Sequence, residues 1–95
     1  MRFDGFDWDA GNWPKCSDHG VSKAEIESIF FGELQTNADP SQLERRFRAI
    51  GQLKTGRPIF VVYTLRRHEK LLLIRPISAR FMHEKEIKRY EHSKL

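Results

Sequence analysis

Six consecutive residues, Ile59-Phe60-Val61-Val62-Tyr63-Thr64, are all β-branched or aromatic. Such side chains suit a pleated, packed surface, so the run predicts a strand at the centre of a sheet. Turns bracket it. Upstream, Lys54-Thr55-Gly56-Arg57 holds a glycine for the positive φ of a tight hairpin, and downstream Arg66-Arg67-His68-Glu69-Lys70 is wholly polar. A further strand-like stretch lies beyond each turn. Residues 45–53 alternate Arg46 and Arg48 against Phe47 and Ala49, a period of two. Leu71-Leu72-Leu73-Ile74 opens a third strand that runs to Ile77. Pro76 has no N–H for a ladder, so that strand is an edge or bulges there. Consecutive strands joined by short turns make an antiparallel meander.

Helices are expected on either side. Asn12 can cap a first helix over residues 13–18, with Pro14 tolerated in its first turn and Gly20 stopping it in a left-handed conformation. Ser22-Lys23-Ala24-Glu25 is a capping box, with Val21 and Ile26 at the staple positions. Ile26, Ile29 and Phe30 then form the buried stripe of a second helix, which Gly32 ends. Residues 33–43 have no period and read as a loop, with Asp39-Pro40-Ser41 as its turn. Residues 81–91 suit a last helix with a thin apolar stripe of Met82, Ile87 and Tyr90. Before all of these, residues 2–8 form a short strand or extended arm. The order (β)ααβββα gives an α+β fold.

Ninety-five residues provide for a single domain over 1–95, without room for a deep cofactor cavity. Seven Phe, two Trp and two Tyr argue against disorder. The longest apolar runs, 59–63 and 71–74, fall far short of the ~20 residues of a membrane-spanning helix. No apolar segment follows the opening MRFDGFDWD, so no signal peptide is expected. The single Cys16 excludes an internal disulfide, and the four His lack metal-ligand spacing. The expectation is therefore no metal, no cofactor, no membrane and a reducing cytoplasm. Charge is uneven: residues 1–40 carry three cations and eight anions, a net of −5, whereas residues 41–95 carry fourteen and five, a net of +9. A basic half of that density is a footprint for an anionic partner.

Several motifs stand in a fixed order: Trp8-Asp9-x-Gly11-Asn12-Trp13-Pro14-Lys15-Cys16, His19-Gly20-Val21-Ser22, Arg46 with Ala49-Ile50-Gly51, Arg75-Pro76-Ile77-Ser78-Ala79-Arg80, then Glu86, Tyr90 and Glu91. This series, from Phe6 to Glu91, resembles the BrnT toxins, small RelE-like ribonucleases of bacterial type II toxin–antitoxin pairs. It departs from their pattern at Asp18, where Lys usually precedes the His-Gly pair. The resemblance implies a RelE-like α+β fold with two N-terminal helices, an antiparallel sheet of three to four strands and one C-terminal helix. It also implies RNA cleavage that arrests translation, and neutralisation by a BrnA-like antitoxin in a heterotetramer. Operator DNA would be bound only through that antitoxin.

Metal-independent RNA cleavage uses the neighbouring 2′-OH as nucleophile. It needs a base, an acid for the leaving 5′ oxygen, and cations for the charge that peaks on phosphorus. Arg46, Arg75 and Arg80 are the candidate phosphate clamp, a choice the resemblance tips. The competing reading for Arg75 and Arg80 is a salt bridge to Glu86 or Glu91. His19 is the candidate titrating residue, with Lys15 four residues earlier on the same short helix. Glu86 and Tyr90, at i and i+4, are a candidate acid–base pair, and Lys15, Arg48 and Lys85 candidate RNA contacts. Trp8 and Trp13 are expected in the core with Cys16, while His68, His83 and His92 receive no role. Three functions follow: an endoribonuclease toxin; a catalytically weak antitoxin-binding co-repressor, which Asp18 favours; and a generic RNA-binding domain.

Overall fold

The capping box forms as its residues dictate. Glu25 N donates to Ser22 Oγ at 3.1 Å and Ser22 N donates to Glu25 Oε1 at 2.9 Å. The helix they start, α1 (Lys23–Ile29), turns Ile26 and Ile29 inward, and Val21 is fully buried with Ile26. Ser22→Ala removes one cap and orphans an N–H, so unfolding stability should fall by about 1 kcal/mol. A urea midpoint shifted downward at unchanged slope is the expected readout.

The computed structural model describes residues 2–39 and 45–93. Within them the strands are β1 (Gly5–Phe6), β2 (Leu34–Ala38), β3 (Phe47–Gln52), β4 (Pro58–His68) and β5 (Leu71–Phe81), and a last helix α2 spans Glu84–Ser93. The strands form one sheet in the order β1-β5-β4-β3-β2, antiparallel except for β1, which pairs parallel to β5. The β-branched run sits in the central strand β4. Phe47, Ala49 and Gly51 of β3 pair with Tyr63, Val61 and Ile59 of β4, and these in turn with Pro76, Ala79 and Phe81 of β5. That face carries the core, closed by Cys16, Val21, Ile26, Ile29 and Phe30. Gly51 permits the close seating of α1: a Cβ there would stand 2.6 Å from Ile29 Cβ.

The structure corrects four expectations. The sheet is five-stranded and mixed, not an antiparallel sheet of three or four. The first helix is reduced to one 3-10 turn, Lys15–Ser17, because Asn12 does not cap it. The Asn12 side chain is buried; its Oδ1 accepts from Asp9 N at 2.8 Å rather than from the helix, and its amide donates to Asp7 O at 3.0 Å and Pro76 O at 2.8 Å. Part of the expected 33–43 loop is β2, an edge strand held by its ladder to β3, while Pro40 and Ser41 lie outside the described residues. The expected polar turn 66–70 shrinks to Glu69 and Lys70, since β4 continues through Arg66 and Arg67 to His68.

The sheet has a second face. Register and strand alternation place Arg48 and Ile50 on it from β3, Phe60, Val62, Thr64 and Arg66 from β4, and Arg75, Ser78 and Arg80 from β5. The helix α2 covers one end only, where Tyr90 and Met82 flank a groove with Ile50 and Phe60. The rest of that face is rich in arginine.

Candidate functional site

Arg75 and Arg80 are five residues apart, an odd spacing that on a regular strand points side chains to opposite faces. A bulge reunites them. Val62 pairs with Ser78 and Tyr63 with Pro76, so Ile77 is an extra residue on β5. The parity flips beside Pro76, where the missing N–H already weakens the ladder. The Pro76 carbonyl accepts from the buried Asn12 amide, which fastens the segment bearing Lys15 to the bulge.

Around the bulge lies a hollow of about 220 Å³, lined by Gly11, Asn12, Lys15, Arg46, Arg66, Arg75 and Ile77. Four cationic side chains, from the N-terminal segment, the residue before β3, β4 and β5, thus meet at one place. Among the described residues no carboxylate stands within ion-pair distance of Arg46 or Lys15. Arg75 is held from behind. Its guanidinium donates to both Asp9 oxygens, at 3.1 and 3.0 Å, and lies 3.3 Å from Asp7. The Arg75 hydrogen bonds, with one from Gly11 N–H, hold the Asp9 carboxyl below its ordinary range. The same pairing raises the already high pKa of Arg75, so its charge is fixed.

Arg80 stands elsewhere on the same face. Arg75 pairs with Thr64 and Arg80 with Phe60, four residues or roughly 13 Å apart along β4. Arg80 makes a two-pronged pair with Glu86, at 2.7 and 2.9 Å, and lies over the Phe60 ring. Glu86 Oε1 also accepts from His83 N at 2.9 Å, capping α2. These contacts, Arg80 first, pull the Glu86 carboxyl down to about 2. A carboxylate so acidic is a poor proton acceptor at neutral pH; it docks α2. The pair therefore adds stability above pH ~4.5, the unfolded carboxylate's value, and loses it as pH falls toward 2. Amide spectra of α2 should stay unchanged from pH 7 to 5 and report loosening between 4.5 and 2. In Arg80→Ala the acid-induced change should be absent or begin at higher pH. Loosening of the native chain already above pH 5 would contradict the assignment.

The other expected residues are dispersed. Arg48 pairs with Asp39 at 3.2 Å, one register pair from Arg80. Tyr90 is buried under α2 rather than presented at the surface. Both Glu86 oxygens are taken up by Arg80 and His83. His19 is exposed next to Gly20, which approaches the Phe81 ring, and it does not line the hollow. With only Lys15–Ser17 helical, Lys15 and His19 do not share a helix face. Asp18 also lies outside the lining, and Lys85 is exposed on α2. Trp8 and Trp13 are part-buried in a T-shaped contact, with Lys23 over both rings. Cys16 is buried and burial raises its thiol pKa.

Four contributors escaped the sequence reading: Asp7, Asp9, Asn12 and Arg66. Arg66 was legible in principle, being two residues beyond Thr64 and so on its face if β4 continues. Asp9-x-Gly11 carried a second signal, since the Asp9 carboxylate accepts from Gly11 N at 2.8 Å, an Asx turn. Among the described residues no group of three His, Cys, Asp or Glu is placed to hold a metal ion, and no helix is long and apolar enough to cross a membrane.

Fold and site together define a small α+β domain that gathers arginine and lysine into a cationic hollow beside a β-bulge. A search of curated proteins finds no match. The family model of the BrnT ribonuclease toxins of type II toxin–antitoxin systems matches residues 8–86, and the chain belongs to that family.

Proposed function

We propose that this protein is an endoribonuclease toxin that cleaves RNA at the Lys15–Arg46–Arg66–Arg75 hollow without a metal ion. The observation that carries the reading is the meeting of four cations from four parts of the chain at one open hollow. In the proposed reaction the 2′-oxygen bonds to phosphorus and the bond to the 5′ oxygen breaks, leaving a 2′,3′-cyclic phosphate. Arg46 binds the non-bridging oxygens through its guanidinium fork, and Arg75, whose fork faces Asp9, adds its remaining N–H groups. Arg66 widens the positive field. The Lys15 ammonium supplies the proton to the leaving 5′ oxygen, since arginine does not give one up. The 2′-OH proton passes to water, which reaches a site this open. No described lining residue is a carboxylate or imidazole, so charge stabilisation carries the weight of catalysis.

A BrnA-like antitoxin would neutralise the protein in a cytoplasmic heterotetramer, and operator DNA would be held through that partner. Family membership supports the antitoxin. Induced expression in bacteria should arrest growth and translation, and co-expression of a BrnA-like antitoxin should restore both. Unimpeded growth with soluble protein present would sink the proposal.

One observation favours a second reading, an antitoxin-binding co-repressor with little catalysis: Asp7 and Asp9 already occupy Arg75. Asp9→Asn separates the two. If Asp9 orients Arg75 for a phosphate, the variant cuts RNA more slowly. If Asp9 silences Arg75, cleavage rises.

A further inference from the structure

Beyond the hollow, the second face holds another two guanidinium groups, each paired with a carboxylate. Phe60 lies under two guanidinium groups, with Arg80 4.8 Å and Arg48 6.0 Å from its ring centroid. The Arg48 side chain is 43% exposed whereas that of its partner Asp39 is 7% exposed, so the arginine forms the outer surface of the pair. Among the described residues Arg48 uses one of its five N–H donors, on Asp39. Val62 pairs with Ser78 on β5 and with Arg48 itself on β3, so the Arg48 backbone lies one same-face step from the Thr64–Arg75 row while its guanidinium reaches back toward Phe60. Thr64 and Phe60 set the two charge centres roughly 13 Å apart along β4. Past Phe60 the face is closed by α2.

We infer that Arg48, flanked by Arg80 over Phe60, is a second phosphate station, so that single-stranded RNA lies along β4 with the scissile phosphate in the hollow and a flanking phosphate at Arg48. This rests on the ribonuclease reading for its substrate class. That span is two phosphodiester steps of an extended strand rather than one, and the uncharged Val62 and Ser78 side chains floor the nucleotide between the two stations. The station binds; it does not touch the bond that breaks.

The test compares a dinucleotide with a decanucleotide containing the same scissile step. Arg48→Ala should lower kcat/KM on the decanucleotide about tenfold, through KM, and so narrow the preference for the longer substrate. Arg48→Lys, which keeps the charge, should recover most of it. Equal losses on both substrates, a loss confined to kcat, or no loss would overturn the inference. Binding of a non-cleavable 2′-O-methyl decanucleotide gives an independent readout. The slope of log K against log salt should shrink by about 0.7 in Arg48→Ala, as for one lost single-strand phosphate contact. If the native chain cuts neither substrate, the ribonuclease reading fails and the slope alone decides the station. A slope change of that size supports it, and an unchanged slope overturns it.

Discussion

Arg46→Ala is expected to slow RNA cleavage by about 10²–10³-fold, mostly in kcat, as loss of one prepositioned donor to a developing charge does. Arg46 is the cleanest probe of the hollow. Arg75→Ala would strand the Asp7 and Asp9 carboxylates, and Arg80→Ala would undock α2, so either change mixes catalysis with folding. Arg46 has no ion-pair partner among the described residues, so its removal strands no described carboxylate. The thermal midpoint should therefore stay close to that of the native chain. Arg46→Lys should recover only part of the rate, because a point charge does not reproduce the guanidinium fork. Single-turnover cleavage of a labelled oligonucleotide reads both variants, and activity within twofold of native in Arg46→Ala would remove Arg46 from the reaction.

Gly51→Ala should produce a larger stability loss than alanine at any other glycine where the added Cβ is limited by space alone. In an ordinary strand, alanine for glycine is favourable by a fraction of a kcal/mol. Here the sign reverses. The new Cβ would meet Ile29 Cβ at 2.6 Å, Ile29 Cγ2 at 3.1 Å and Leu34 Cδ2 at 3.1 Å. An Ile29 Cβ cannot rotate away, so α1 must lift from β3. Overpacking of this kind costs about 1–3 kcal/mol, a large share of the ~5–15 kcal/mol that holds a domain together. Urea unfolding of Gly51→Ala, Ile29→Ala and the double variant tests the cause. Trimming Ile29 removes the γ-carbon contact but leaves its Cβ, so the double variant should cost less than the sum of the singles while still showing strain. Additive losses would place the effect elsewhere.

What was legible in the sequence was local. The α1 cap needs Ser22 and Glu25 three residues apart and nothing else, and the β4 run identifies itself by side-chain shape. Pro76 announced a bulge or an edge from its missing N–H, and the strand bulges beside it. What was not legible depended on distant partners. The β2 segment, Leu-Gln-Thr-Asn-Ala, has little strand preference and is extended because the outer edge of β3 offers it a ladder. Parallel pairing of Gly5 and Phe6 with Leu73 and Ile74 leaves no local mark. Asn12 looked like a cap because the burial that turns its oxygen to Asp9 N and its amide to Pro76 O depends on a strand 64 residues away.

The site divides in the same way. Arginine was identified as the chemistry-bearing residue type, and Arg46 and Arg75 do meet. Their companion is Arg66 rather than Arg80, because β4 runs on beyond the expected turn. The pairing of Arg80 with Glu86 was weighed from sequence; that of Arg75 with Asp7 and Asp9 was not, since it requires the N-terminal arm to lie beside β5. Opposite-face scattering of Arg75 and Arg80, which their odd spacing alone implies, is averted by one extra residue, Ile77.

The central claim is that cations at the bulge carry out metal-independent strand cleavage. Its most direct test is to incubate purified native protein with RNA in excess EDTA and determine the product ends. The account predicts fragments ending in 2′,3′-cyclic phosphate with 5′-hydroxyl partners, formed far more slowly by Arg46→Ala. Intact RNA, or fragments with 5′-phosphate ends that appear only when a divalent ion is restored, would contradict it.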